Sequence, residues 1–252
     1  MTKELLVSIE DGVALLTLNR PASSNALSQS LRRALDQTLT ALNDRTEIRV
    51  IVVTGSGDRA FCSGLDRDDL PDLLNRLAAG LEAFDVDLAA RLARHGKPVI
   101  AAVNGTAMTG GLELMLGSDI IVASRTARFA DTHARVGVAP MWGMTQRLPR
   151  RIGAGRAKLM SLSGFWVSAE QALAWGLVDE LAEPDQVVTR ALDMARAIAA
   201  GDPSVTAFSR RLIDVGSDLV LDAALTLERD EAARVNTTKA MQETGRKHES
   251  FE

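Results

Sequence analysis

Cysteine is almost missing from this 252-residue chain: Cys62 stands alone. A disulfide framework within the chain is thereby excluded, and a cysteine-based metal site is not expected. A lone thiol suits a reducing compartment. Charge of one sign is lacking too. With 29 basic and 33 acidic residues the net charge is -4, so no basic excess invites nucleic acid or an anionic membrane. No uninterrupted apolar run approaches the roughly 18 residues of a membrane span. The opening Met1-Thr2-Lys3-Glu4 leads straight into a strand-like run, so no secretory signal is expected. Repeats of fixed period and low-complexity linkers are absent as well. These absences point to a cytoplasmic protein without nucleic-acid or membrane partners. What is present, 46% hydrophobic and 25% charged residues, is enough for a substantial core.

Two apolar runs, Leu5 to Ile9 and Val13 to Leu18, flank Asp11-Gly12, a strong hairpin signal. A helix follows from about Ser28, a good N-cap, with Leu31, Ala34, Leu35, Leu39 and Leu42 on one face. Val50 to Val53 is continuously apolar, as in a strand covered on both sides. A helical region interrupted near Gly80 runs to about His95. The strand Val99 to Val103, a Gly-rich turn, a short helix and the strand Ile120 to Ala123 come next. This alternation predicts an α/β body. After Gly153 helices dominate: Arg156 to Leu162, Ser168 to Trp175, Val187 to Ala200, Ser204 to Val215 and Leu221 to Val235, with a short strand at Leu177 to Leu181.

Two loops stand out, each after a buried strand. One runs from Thr54 to Asp66 and contains Ala60-Phe61-Cys62-Ser63-Gly64-Leu65-Asp66. The other runs from Val103 to Leu114 and contains Gly110-Gly111-Leu112-Glu113. Glycine lets backbone approach a ligand closely, and a helix start presents unpaired N–H groups. The spacing of Gly105 and Gly110 imitates a P-loop, but Gly111 and Leu112 occupy the Lys and Ser/Thr positions, and no G-x-G-x-x-G is present. Ser63 lacks a nucleophile-elbow context because Phe61 stands where the first glycine belongs. Cys62 and Ser63 therefore read as packing or loop residues.

Taken in order, Asn19-Arg20-Pro21, Asn25-Ala26-Leu27, the two loops, Ser118-Asp119-Ile120, Gly137, Pro140, Gly143 and Thr145-Gln146-Arg147-Leu148 resemble the crotonase family, the enoyl-CoA hydratase/isomerase superfamily. The resemblance covers nearly the whole chain. It implies a spiral of ββα units, here about residues 1–200, with a helical C-terminal trimerisation region, 201–252. It also implies homotrimers, often paired into hexamers, and an acyl-CoA substrate with no metal or redox cofactor.

By this resemblance, the Leu65 and Gly110 amides form an oxyanion hole for the thioester carbonyl. Glu113 occupies the position of one catalytic glutamate, and His133 replaces the second. His133 is then an acid or base, a partner in a different enolate reaction, or a structural residue. Asp131 and Arg135 would share its face if the segment were extended. Asp131 either orients His133 or caps a turn. The substrate's CoA part is expected at Ala26, Arg59, Ala60, Ser63, Gly64, Leu65, Asp66 and Gly110, with Trp142 near the acyl end. Arg59 is either a phosphate ligand or a solvated surface residue. The basic residue usual in the family falls on Asp68, and Arg67 beside it is a possible substitute. Arg246 and Lys247 either belong to a solvated tail or reach a neighbour's CoA phosphate. The default reaction is water addition to a 2-enoyl-CoA. Isomerisation, decarboxylation, C–C cleavage, thioester hydrolysis and non-catalytic acyl-CoA binding remain as alternatives.

Overall fold

In this computed structural model, residues 3–81 and 86–249 are described, the last of them (239–249) without their side chains. The chain divides into two compact units, Met1–Ala197 and Ile198–Glu252. The first unit opens with a hairpin of β1 (Leu5–Glu10) and β2 (Val13–Leu18). Asp11 and Gly12 turn it at positive φ, 50° and 76°. Helix α1 (Gln29–Asn43) begins where the sequence predicts, with Ser28 Oγ accepting from Leu31 N at 3.1 Å. Its Leu31, Leu35, Leu39 and Leu42 are buried.

Three strand pairs then repeat one pattern. Strand β3 (Val50–Gly55) is followed by β4 (Ala60–Cys62), α2 (Leu70–Ala78) and α3 (Leu88–Ala93). Strand β5 (Val99–Val103) is followed by β6 (Thr106–Met108) and α4 (Gly110–Leu116). Strand β7 (Ile120–Ser124) is followed by β8 (Arg128–Ala130), α5 (His133–Val136), α6 (Met144–Ile152) and α7 (Ala154–Ser163). The unit continues with β9 (Val167–Ser168), α8 (Ala169–Trp175) and β10 (Glu180–Ala182) and ends within α9 (Val187–Ala199). Long strands build a six-stranded sheet in the order β1-β2-β3-β5-β7-β10, parallel apart from the β1–β2 hairpin. Short strands build a second sheet, β4-β6-β8-β9. Each turn of the chain thus lays one long strand, one short strand and a helical stretch, which is the ββα spiral. The buried faces form one apolar core, and every residue of β3 and β5 is buried.

The second sheet was not legible in the sequence. Its strands are two or three residues long, too short to show a period. Helices α5 and α6 were missed for related reasons: α5 is four residues, and α6 carries Pro149 inside it. The strand expected at Leu177 to Leu181 begins only at Glu180. Gly176 caps α8 in the left-handed conformation, and Leu177 N donates back to Ala172 O, so Leu177 and Val178 are buried in the helix end instead. The second unit contains α10 (Pro203–Gly216), capped by Asp202, and α11 (Leu221–Glu249), which extends well past the expected Val235. Arg211 and Glu231 join these two helices at 2.8 Å.

Candidate active site

The first loop is held in place by two buried asparagines and an arginine. Asn25 Nδ2 donates to Ser56 O at 3.0 Å and to Ala60 O at 2.7 Å. Asn104 accepts from Gly55 N at 3.1 Å and donates to Gly57 O at 2.7 Å. Arg20 reaches across to Ala26 O at 2.7 Å and to Asp66 Oδ2 at 2.5 Å. Burial alone would lift the Asp66 carboxyl, but the Arg20 hydrogen bond and charge outweigh it and hold it below the usual range. The Asn-Arg-Pro and Asn-Ala-Leu stretches therefore act as supports for the loop ending at Leu65.

At its end the first loop meets the second at van der Waals limits. Gly64 has φ +96°, and a β carbon there would lie 2.8 Å from Gly110 N. A β carbon on Gly110 would lie 3.4 Å from Leu65 N. Glycine at both positions is what lets the two amides approach. Among the described residues, neither Leu65 N nor Gly110 N donates a hydrogen bond. Thr109, just before Gly110, holds φ +53° and ψ -121°, a region that β-branched residues almost never adopt. It is fixed by Thr109 N donating to Ala130 O at 3.0 Å and by a 2.5 Å bond between the Thr109 and Thr132 hydroxyls.

Leu65 and Gly110 line a cavity of about 130 Å³ together with Glu113, His133 and Trp142. It has room for a group much larger than one water, and Leu70, Leu73, Val138 and Met141 make much of its wall apolar. Glu113 comes from the first turn of α4 and is 3% exposed. Its Oε1 accepts from Trp142 N at 2.9 Å and Met144 N at 3.2 Å. Burial pushes its carboxyl above the ordinary range, against the opposing pull of His133 and the two amides. Its other oxygen, Oε2, lies 3.6 Å from His133 Nε2. The site thus pairs two amide donors with a carboxylate whose pKa is moved toward neutrality and an imidazole beside it. That combination can stabilise an oxyanion and move protons next to it.

A groove adjoining this cavity is lined by Ala26, Arg59, Ala60, Ser63, Leu65, Asp66 and Arg67. Ser63, Leu65, Asp66 and Arg67 border both hollows. Ala26, Arg59, Ala60, Ser63, Leu65, Asp66, Gly110, Glu113, His133 and Trp142 therefore border the groove or the cavity, with Gly64 at the contact between the loops, whereas Asp68 and Arg135 line neither. The side chains of Arg246 and Lys247 lie outside the described residues.

A family model described as Enoyl-CoA hydratase/isomerase matches residues 8–250. The chain belongs to the enoyl-CoA hydratase/isomerase family. It is 36% identical to probable enoyl-CoA hydratase 1, peroxisomal, of Arabidopsis thaliana, over 88% of this chain and 82% of that protein. It is 35% identical to the 1,2-epoxyphenylacetyl-CoA isomerase of Escherichia coli K12, over 91% of this chain and 89% of that one. The crystal structure of enoyl-CoA hydratase from Bacillus anthracis superposes with a TM-score of 0.86 at 30% identity, covering 96% and 97% of the two chains. The fold is accordingly the crotonase fold.

Within this family frame, the structure settles whether Asp131, His133 and Arg135 share a face. The Asp131–Arg135 segment is not extended: His133 opens α5. The turn carries Arg135 away, to Ser163 O at 2.8 Å, while Asp131 and His133 stay together. Several cavity residues carried no sequence signal, among them Met108, Leu70 and Leu73. They are ordinary apolar residues whose role comes only from where the chain folds. The Trp142 and Met144 amides that fix Glu113 are equally silent, because backbone donors leave no mark on residue identity.

Proposed function

We propose that this protein is an enoyl-CoA hydratase, adding water across the α,β double bond of a 2-enoyl-CoA. The observation that carries this reading is the convergence of two undonated amides, Leu65 N and Gly110 N, on a cavity that also holds Glu113 and His133. In this reading the thioester carbonyl accepts from both amides, and each donor contributes about 3 kcal/mol as negative charge builds on the oxygen. Glu113 takes a proton from water as the water oxygen bonds to the β carbon. The π electrons pass to the enolate, and protonated His133 delivers a proton through Nε2 to the α carbon. A return transfer from Glu113 to His133 across their 3.6 Å separation resets the pair. Water is consumed whole and no electrons change hands, so the reading assigns no metal or redox cofactor.

The same reading places the CoA part in the groove by Ala26, Arg59, Ala60 and Ser63, with Gly64, Leu65, Asp66 and Gly110 at its inner end and Trp142 toward the acyl group. Arg67 supports it as a basic residue on the groove. We also assign a homotrimer or dimer of trimers in the cytoplasm, with the C-terminal helices as the trimerisation region. Exposed Ile213, Val220 and Leu221, each more than 70% accessible, support an assembly role for that unit. Size-exclusion chromatography with light scattering tests the assembly; a monomer at micromolar concentration refutes it.

The catalytic reading is tested by following crotonyl-CoA absorbance with purified protein, beside Glu113→Gln and His133→Ala variants. Loss of turnover in both variants is expected. Binding of acyl-CoA with no turnover of crotonyl-CoA or longer enoyl-CoAs would sink the hydratase assignment and leave a non-catalytic binder. No binding of acyl-CoA at all would sink the ligand assignment.

A further inference from the structure

An imidazole standing where a second carboxylate is usual raises a question that a carboxylate does not: which of its two nitrogens carries the exchanging proton. Three buried side chains answer it. Asp131 is 1% exposed and sits 2.6 Å through Oδ1 from His133 Nδ1. The same oxygen accepts from His133 N at 3.2 Å. On the opposite side of the ring, Nε2 faces Glu113 Oε2.

We infer that Asp131 is a positioning residue of the acid/base site: it holds a proton on His133 Nδ1 and so makes Nε2 the nitrogen that exchanges protons with Glu113 and substrate. The physical ground is the donor inventory. An ionised carboxylate has no proton to give, so the 2.6 Å bond requires Nδ1–H. Burial works against ionisation of Asp131, but the bonds from the His133 ring and the His133 amide oppose it, and its carboxyl is held below the usual range. A buried carboxylate must be paired, and here its partner is the ring it orients. Two effects follow. Rotation of the ring is blocked, because turning it over would exchange Nδ1 for a carbon at 2.6 Å from Oδ1. Nε2 is kept facing Glu113 Oε2 at 3.6 Å, where a proton can pass between them. The proton placement stands on the contact of the ring with an ionised Asp131; its catalytic consequence rests on the hydratase reading.

The chain has three histidines, His95, His133 and His248, so nitrogen-15 imidazole spectra of the full-length protein are assignable with a His133→Ala control. In wild type, His133 is expected to show a protonated Nδ1 with a downfield, slowly exchanging proton. Asp131→Asn, close to isosteric, is expected to lose that proton signal and shift the neutral ring toward the Nε2–H form. With crotonyl-CoA, its kcat is expected to fall about 10²- to 10⁴-fold, the range for a lost acid/base function. KM and affinity for saturated butyryl-CoA should stay within about threefold. A wild-type His133 protonated only at Nε2 overturns the inference, whether or not any variant folds. So does an Asp131→Asn enzyme whose kcat is within about threefold of wild type. If wild type hydrates no enoyl-CoA but shows the Nδ1 proton, the hydratase reading fails while the placement of the proton holds.

Discussion

Substituting Gly64 by alanine tests whether the two loops work by close approach. The added carbon would meet Gly110 N at 2.8 Å and Met108 O at 3.3 Å. The nearest atom is backbone, so the clash is relieved only by moving one loop from the other. Restoring ordinary contact at about 3.4 Å requires the chains to part by roughly 0.6 Å there, the difference between 3.4 and 2.8 Å. The residue that moves with Gly64 is Leu65, and the atom it moves from is one of the two donors. A shift of that size takes a preorganised donor out of register with the oxyanion, an effect comparable to deleting it, about 10²- to 10³-fold in kcat. Separately, alanine at φ +96° costs about 1–3 kcal/mol of stability. The assay is crotonyl-CoA hydration at saturation, paired with thermal unfolding. Gly153→Ala provides the control, since Gly153 also has positive φ, +81°, but open space around the added carbon. It should lower the melting temperature and leave kcat near wild type. A folded Gly64→Ala enzyme with kcat within twofold of wild type would refute the role given to loop approach.

Glu113→Gln should lower kcat about 10²- to 10⁴-fold while stabilising the fold at neutral pH. Burial raises the folded-state pKa of Glu113, so its favourable contribution is full below the unfolded carboxylate pKa and is lost as pH rises through the folded value. The variant's melting temperature should exceed wild type's at neutral pH and converge with it near about pH 4; a lower value at neutral pH contradicts the burial argument. Arg20→Met removes the partner of Asp66 and the donor to Ala26 O. It should cost about 2 kcal/mol in a urea titration and reduce kcat/KM through the Leu65 loop; unchanged values of both would show that the pair is dispensable. Cys62 is fully buried, and burial pushes its thiol up to about 12. It should resist Ellman's reagent in the native protein and react on unfolding; fast reaction in the folded state would contradict the core position of β4.

The long elements were legible because their signals are local. Leu31, Leu35, Leu39 and Leu42 declare one face of α1, and the apolar runs of β3 and β5 declare strands covered on both sides. The short strands of the second sheet carry too few residues for a period, and their pairing joins segments far apart, such as Ala60 with Thr106 and Ala107 with Phe129. The two site loops were visible as motifs, but the supports that shape them were not. Nothing local says that Asn25 reaches Ala60 O, or that Arg20 reaches Asp66. Asp131 and Arg135 would share the face of His133 only in an extended segment, and a four-residue helix turns Arg135 toward Ser163 instead.

By itself, then, the sequence determined the α/β class, the order of the main strands and helices, and the identity of the groups available at the site: glycines for close approach, Glu113, His133 and Asp131. These follow from side-chain chemistry and short-range pattern, which the order of residues carries directly. Tertiary structure alone decided which groups meet. It brought Gly64 against Gly110, seated Glu113 under the Trp142 and Met144 amides, and set His133 between Asp131 and Glu113. Those contacts depend on both sheets contributing to one core and on backbone donors whose direction no residue identity records.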